Sequence, residues 1–155
     1  DRLRRRLRPK EAAATSVNVI VDTTAWSMAL RRTAQPSGAM VEELTTLINE
    51  GRVVMLGAIR QELLSGVRAK EQFKRLRDRL RAFDDLALDN VDYENAGACF
   101  NECRARGVQG GDTDFLLCAA SLRRDLPIFT EDGDFRHYQR VLGIKLHAIR
   151  KKRMP

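Results

Sequence analysis

Four acidic residues of this chain have the type and placement that metal-dependent chemistry requires. Asp22 and Asp132 each follow an apolar run that is typical of a buried strand. Glu62 and Asp114 open or lie within stretches whose apolar residues recur at helical spacing. A carboxylate beside such a run is costly to bury unless it is paired, hydrogen-bonded or bound to a cation. We therefore predict that the four side chains meet at a metal ion.

Carboxylate oxygens are ligands that Mg²⁺ and Mn²⁺ favour. A divalent ion can activate a water, neutralise the charge that develops on a phosphodiester and stabilise the leaving oxygen. Clustered carboxylates repel one another without a cation, so some of them should titrate above their usual range. The residue types alone leave a second interpretation open, because acids that follow strands often only cap helices.

Five further polar residues lie close to these acids in the sequence. Asp112 could cap the helix that follows it, and Asp134 could orient a water at the metal or cap the final helix. Thr23, Thr24 and Thr130 could bond to the carboxylates or to a substrate phosphate. Ordinary capping and turn formation explain these threonines almost as well.

The elements that must position these residues alternate between strands and helices. Apolar runs at 17–21, 53–56 and 128–130 predict buried strands, and the stretches between them predict helices. This order predicts an α/β fold, a three-layer sandwich with a central, mostly parallel sheet flanked by helices. Ligands gather at the carboxyl ends of the strands in such sheets, where Asp22 and Asp132 are expected.

The pattern also predicts finer details of the fold. Residues 86–90 (LALDN) are expected to form a short edge strand and residues 145–149 (KLHAI) a last strand. Ser37 is expected to cap the second helix, and Asp112 or Thr113 the helix that contains Asp114.

Length and composition indicate a globular, cytoplasmic protein. The 155 residues fit one domain, with 43% hydrophobic and 32% charged residues. No apolar stretch approaches the ~18–20 residues that a membrane span needs, and the first residues lack a signal-peptide pattern. The three cysteines are an odd number in apolar helical contexts, which suits reduced thiols in a cytosol.

The net charge of +7 resides in the two ends of the chain. Residues 1–10 carry six basic groups and one acid, and residues 150–153 carry four basic groups, which leaves −2 for residues 11–149. The ends could bind phosphates, and solvated terminal tails are an equally good interpretation.

The four acids also occur, in order, within short motifs. These are Asp22 in DTT, Glu62 in QELLSG, Asp114 in DFLLCAA and Asp132 in TEDGDF. Together the motifs resemble those of PIN-domain ribonucleases of the VapC toxin type. The resemblance covers residues 17–149. It leaves residues 1–16 as a basic N-terminal extension and connector, and residues 150–155 as a basic C-terminal tail.

This resemblance implies a PIN-like fold and an endoribonuclease that depends on Mg²⁺ or Mn²⁺. Such an enzyme acts as the toxin of a type II toxin–antitoxin pair and hydrolyses RNA phosphodiester bonds with a metal-activated water. The implied partners are RNA, a cognate antitoxin and a second copy of the chain in a homodimer. Catalytic and metal-binding roles carry over to Asp22, Glu62, Asp114 and Asp132, and Asp134 resembles a second acid common in these toxins.

Other interpretations remain open. The chain could be a non-catalytic PIN-fold module that binds RNA or regulates. A structure-specific DNA nuclease is disfavoured because 155 residues leave little room for clamp segments. Antitoxins of this family commonly offer an Arg-bearing segment to the toxin's acidic site, and the Arg-rich residues 1–10 could dock there in the same way.

Overall fold

The computed structural model describes residues 17–30 and 38–151 of the chain. Within these ranges three strands and seven helices follow one another in α/β order. The strands are β1 (Val19–Val21), β2 (Val53–Val54) and β3 (Ile128–Phe129). The helices are α1 (Thr23–Leu30), α2 (Ala39–Asn49), α3 (Gly57–Leu64), α4 (Lys70–Leu80), α5 (Asn90–Ala105), α6 (Asp112–Arg124) and α7 (Asp134–Leu142).

The three strands form one parallel sheet in the order β2-β1-β3. Val19 pairs with Val53, and Ile20 pairs with Ile128, so β1 is the central strand. All three of its side chains are fully buried, as expected for a strand covered on both faces. Helices flank this sheet, which confirms the predicted three-layer α/β sandwich. Because parallel strands share one carboxyl edge, the sheet brings the residues after β1 and β3 together.

The two predicted outer strands are reduced to single bridges. Residues 86–90 form no strand; instead Asp85 bridges to Met55, and the Leu86 N–H donates to the Met55 carbonyl. The reason is local, because Asp89 turns the chain into α5 by accepting hydrogen bonds from the first N–H groups of that helix. Residues 145–149 likewise contribute only a bridge between Leu146 and Ile128.

The predicted helix caps are largely wrong. Gly111 occupies the N-cap of α6, no side chain bonds there as a cap, and Asp112 is already the first helical residue. The helix therefore begins one residue before Thr113, and neither Asp112 nor Thr113 caps it. Gly38 occupies the N-cap of α2. The cap predicted at Ser37 lies outside the described residues.

The core is continuous from the sheet into the packed pair α5 and α6. Its largest fully buried side chains include Ile20, Leu44, Leu47, Met55, Leu56, Ile59, Leu80, Phe115, Leu117, Phe129, Phe135 and Tyr138. The three cysteines lie in this core as free, buried thiols, and burial raises the pKa of each. None of the described helices has the length and apolar character needed to cross a membrane.

Candidate active site

Asp22 follows β1 directly and is held by two threonine hydroxyls. Thr24, in the first turn of α1, donates to Asp22 Oδ2 at 2.9 Å, and Thr130, after β3, donates to the same oxygen at 2.8 Å. The N–H groups of Glu131 and Asp132 donate in turn to these hydroxyls, each at 3.0 Å. Asp22 is only 4% exposed. Its Oδ1 accepts no hydrogen bond from the described residues, so one oxygen is oriented and the other is left available.

Glu62 reaches the same region from α3. Thr23, the first residue of α1, donates a short hydrogen bond from its hydroxyl to Glu62 Oε2. Because Thr23 follows Asp22 in the chain, this bond ties α3 to the carboxyl end of β1. Glu62 is exposed to solvent, in contrast to the buried Asp22. The site is therefore open on the side of α3.

Asp114 lies in the first turn of α6 and bonds to a tyrosine of α7. The Tyr138 hydroxyl donates to Asp114 Oδ2 at 2.8 Å. Burial and then the bond to Asp114 raise the pKa of Tyr138 above its usual range, which keeps the phenol protonated as a donor. Gly110 makes room for this ring, because a Cβ at Gly110 would lie 2.2 Å from the Tyr138 hydroxyl oxygen.

Asp132 and its neighbours border the site. Asp132 Oδ1 accepts the N–H of Asp134 at 2.9 Å, which forms a local turn at the start of α7. The capping role considered for Asp134 is therefore wrong, since Asp134 is the first residue of α7 and the N-cap is Gly133. Asp112 and Asp134 are both exposed, and no hydrogen bond joins either side chain to the other acids.

The four predicted acids act on one another electrostatically. The pKa of Asp114 is raised, first by burial and then by the negative charges of Asp22, Asp132 and Glu62, while the Tyr138 hydrogen bond opposes the shift. A neighbouring charge has this effect only over a short distance in a protein. The fold therefore collects the carboxylates from β1, α3, α6 and the end of β3 into one negative site.

The carboxylates are not arranged as a preformed metal cage. Across residues 17–30 and 38–151, no three acidic, histidine or cysteine side chains are placed to hold one ion together. Each of the four acids instead has an oxygen committed to a hydroxyl or backbone donor. The donor set nevertheless fits Mg²⁺ or Mn²⁺, since it consists of hard carboxylate oxygens. Their mutual repulsion adds to burial in raising the pKa of Asp114, and a bound cation would relieve that repulsion.

Tyr138 and Gly110 belong to this site, and the sequence analysis missed both. A signal for Tyr138 existed, because a tyrosine three residues after Phe135 falls on the apolar face of α7 and a buried hydroxyl needs a partner. Gly110 gave no comparable signal, because only the fold places its Cα against the ring of Tyr138.

The family assignment rests on a match over most of this fold. A family model of the PIN domain matches residues 19–141, from β1 into α7. The chain belongs to the PIN domain family. This match confirms the resemblance that the four motifs indicated. No match is found among the curated proteins.

Solved structures share the fold of this PIN domain. FitAcB from Neisseria gonorrhoeae has 20% identity, a TM-score of 0.67, and covers 84% of this chain and 96% of its own. VapBC2 from Rickettsia felis, bound to a DNA fragment from its promoter, has 16% identity, a TM-score of 0.68, and covers 84% and 98%. FitAB bound to an IR36 DNA fragment has 18% identity, a TM-score of 0.66, and covers 83% and 93%. At these identities the likeness establishes the PIN fold.

Proposed function

We propose that this PIN protein is a metal-dependent endoribonuclease that hydrolyses RNA phosphodiester bonds in the cytoplasm. The observation that best supports the proposal is the convergence of the acids: Thr23 joins Glu62 to the end of β1, and Thr130 joins Asp22 to the end of β3. Burial raises the pKa of Asp114, and the charges of Asp22, Asp132 and Glu62 add to that effect. A cluster of like charges that the fold maintains at the edge of a sheet is a strong indication of a cation-dependent site.

Asp22, Glu62 and Asp114 would hold Mg²⁺ or Mn²⁺, with Asp132 beside them. A bound divalent ion supplies two things to this chemistry, a water of lowered pKa and neutralisation of the charge on the phosphate. The side chains do the positioning. Thr24 and Thr130 fix the orientation of Asp22, and Tyr138 fixes that of Asp114, so each of these carboxylates is held through one oxygen and keeps the other available.

The openness of the site suits a polymeric substrate. Glu62 is exposed and Asp132 is partly exposed, so a strand can pass over the carboxylates without threading through a closed cavity. An internal phosphodiester can then reach Asp22 and Asp114, as endonucleolytic cleavage requires. Thr23 and Thr130 lie beside this path but donate their hydroxyl protons to Glu62 and Asp22, so we assign them to positioning the acids, with Asp112 and Asp134 as secondary groups.

We further propose that the protein is the toxin of a type II toxin–antitoxin pair, with a cognate antitoxin and a homodimeric state. The support is the order of the four motifs, which is similar to that of VapC-type proteins, together with the fold shared with VapBC2 and FitAB. We also retain the division into residues 1–16, 17–149 and 150–155 as a proposal, since residues 1–16 and 152–155 lie outside the described residues.

Asp114→Asn tests the proposed function, because it removes one ligand charge with almost no change in volume. We expect the variant to cut labelled RNA about 100-fold or more slowly in Mg²⁺ or Mn²⁺, since even groups behind the ligands are worth about 10–100-fold. The parent should lose activity in a chelator and regain it when the metal is restored. An Asn variant that cuts as fast as the parent would refute the assignment.

The second candidate is a non-catalytic PIN module with an RNA-binding or regulatory role. The observation that favours it is the absence, among the described residues, of three side chains placed to share an ion. The same assay separates the two functions. RNA that is bound with measurable affinity but left intact in both Mg²⁺ and Mn²⁺ would identify the module.

A further inference from the structure

A shallow cavity of about 250 Å³ lies between the end of α1 and one face of α4. Its lining residues are Leu30, Val67, Gln72, Arg75, Leu76 and Arg79. The four from α4 recur at helical spacing, so they form one face of that helix. Leu30, Val67 and Leu76 are partly buried and make an apolar floor, whereas the polar residues at the rim are exposed.

The two guanidinium groups at this rim have no counter-ion among residues 17–30 and 38–151. Arg75 donates from Nε only to the backbone carbonyl of Glu71, at 3.4 Å, and Arg79 makes no ion pair with any described residue. The other arginines near this helix differ, because Arg77 and Arg81 both pair with Asp78, at 3.0 and 3.7 Å. None of the described residues that line the cavity is acidic. The rim is thus a pair of uncompensated positive charges above an apolar surface.

The cavity and the carboxylate site lie at opposite ends of α1. Helix α1 begins at Thr23, which bonds to Glu62, and ends at Leu30, in the floor of the cavity. Eight residues of α-helix span roughly 10 Å at ~1.5 Å per residue. A stacked nucleic-acid strand advances ~3.4 Å per nucleotide, so roughly three nucleotides separate the two places.

From this arrangement we infer that the cavity is a second binding site for the RNA substrate. It takes a backbone phosphate between Arg75 and Arg79 and the flat face of a base or ribose on the apolar floor. The guanidinium geometry suits this ligand, because arginine binds phosphate oxygens in a bidentate manner. The inference rests on the proposed function for the identity of the strand. The inference goes beyond the proposed function by naming residues that bind RNA away from the scissile bond.

The test compares two double variants of the same helix region. Arg75→Gln with Arg79→Gln removes the two unpaired charges, and Arg77→Gln with Arg81→Gln removes two paired charges from another face. Binding of a fluorescent single-stranded RNA of about 12 nucleotides is measured in chelator, so that no cleavage occurs. We expect the first variant to bind about tenfold more weakly, with a slope of log affinity against log salt shallower by about 0.7, the value for one phosphate contact on a single strand. The control should change less than about threefold.

Cleavage kinetics provide the second readout. The first variant should raise KM for the long RNA about tenfold with kcat unchanged, and it should not alter cleavage of a dinucleotide too short to reach the cavity. Thermal unfolding of both variants checks that the fold is retained.

The outcomes separate this inference from the proposed function. Equal effects of the two double variants on RNA binding overturn the inference and leave the nuclease proposal standing. The inference also fails if Arg75→Gln with Arg79→Gln retains RNA binding but no longer binds an acidic peptide. That result would assign the cavity to a protein ligand. If the parent cuts no RNA in either metal, yet only Arg75→Gln with Arg79→Gln weakens RNA binding, the second site stands and the nuclease proposal fails.

Discussion

Three of the site's carboxylates are each held by a side-chain hydroxyl. Thr130 and Thr24 bond to Asp22, Thr23 bonds to Glu62, and Tyr138 bonds to Asp114. A hydroxyl can donate to an ionised carboxylate without adding a positive charge that would compete with a cation. This choice of partner keeps the site negative while limiting the rotation of the acids, which a salt bridge to lysine or arginine would not do.

Tyr138→Phe should show how much the orientation of Asp114 contributes. The substitution removes only the hydroxyl, so we expect activity to fall about 10–100-fold and the Mg²⁺ concentration for half-maximal rate to rise about tenfold. Tyr93→Phe is the matched control, because Tyr93 is 58% exposed on α5. RNA cleavage over a range of Mg²⁺ concentrations measures both quantities. Identical metal dependence of the parent and Tyr138→Phe would show that the phenol has no role at the site.

Gly110→Ala should disturb the same contact from the other side. The new methyl group would overlap the Tyr138 hydroxyl, so the ring must move and its bond to Asp114 must lengthen or break. We expect a loss of about 1–3 kcal/mol in unfolding free energy, together with a loss of activity. Gly97→Ala is the control, because nothing lies within 4 Å of its added methyl group, and it should be neutral or stabilising. Urea unfolding and RNA cleavage distinguish the two variants.

The sequence pointed to the four acids and to three threonines that bond to them, but not to Tyr138. Each acid could be found because it interrupts an apolar pattern at a strand end or within a helix. The hydrogen bonds from Thr23, Thr24 and Thr130 were considered from proximity alone, and the structure contains them. Tyr138 was not predicted because it lies 24 residues from Asp114 in the sequence. Their contact depends on how α6 packs against α7.

At the scale of elements, α5 and α6 are joined by charge as well as by apolar packing. Asp92 in the first turn of α5 is fully buried and accepts from Arg124 at 2.7 and 3.0 Å. Its Oδ2 also accepts the N–H of Asp89 in a capping box. The Arg124 guanidinium beside Asp92 holds the pKa of that carboxyl far below its usual range, although burial alone would raise it. This pair holds the end of α6 against the start of α5.

Arg124→Ala should therefore destabilise the fold strongly. Removing Arg124 leaves the buried Asp92 carboxylate with the more distant Arg123, at 3.2 Å, and we expect a loss of about 3 kcal/mol at neutral pH, the low end of the range for a broken buried pair. The pKa of Asp92 is depressed in the folded state, so this stabilisation is complete above the unfolded-state pKa of about 3.9 and is lost as the pH falls below it.

Urea unfolding at several pH values measures this effect. The difference between the parent and Arg124→Ala should be largest near neutrality and should shrink below about pH 4. Arg123→Ala is the control, because Arg123 pairs mainly with the exposed Asp89, and it should cost less at every pH. A gap between parent and Arg124→Ala that is constant down to strongly acidic pH would rule out Asp92 as its source.

The sequence predicted the buried elements better than the edges of the fold. β1 and β3 lie within the continuous apolar runs at 17–21 and 128–130 that predicted buried strands. Residues 86–90 and 145–149 also contain apolar residues, but pairing over several residues depends on the neighbouring strand. Here β2 spans only Val53–Val54 and β3 only Ile128–Phe129. Because β2 and β3 are this short, each outer segment forms only a single bridge to the sheet.

At the scale of the whole molecule, residues that follow α7 bond back to α2 and to the residue that ends it. His147 Nε2 lies 2.7 Å from Glu43 Oε1 on α2, and Arg150 bonds to Glu43 and Glu50 at 2.8 and 2.6 Å. Burial would raise the pKa of Glu43, but the hydrogen bonds from His147 and Arg150 outweigh it and lower that pKa. Arg150, at the first position of the predicted basic tail, thus packs against the PIN domain.

The contact between Tyr138 and Asp114, together with that between Thr130 and Asp22, has a consequence for how the protein is made. Asp22 emerges from the ribosome long before Thr130, and Asp114 emerges before Tyr138, so these two contacts form only after β3 and α7 have been synthesised. If the proposed activity is correct, an incomplete polypeptide is expected to be inert toward the messenger that encodes it. A premature stop codon before α7 would then yield a product that lacks the bond between Tyr138 and Asp114 and has no nuclease activity.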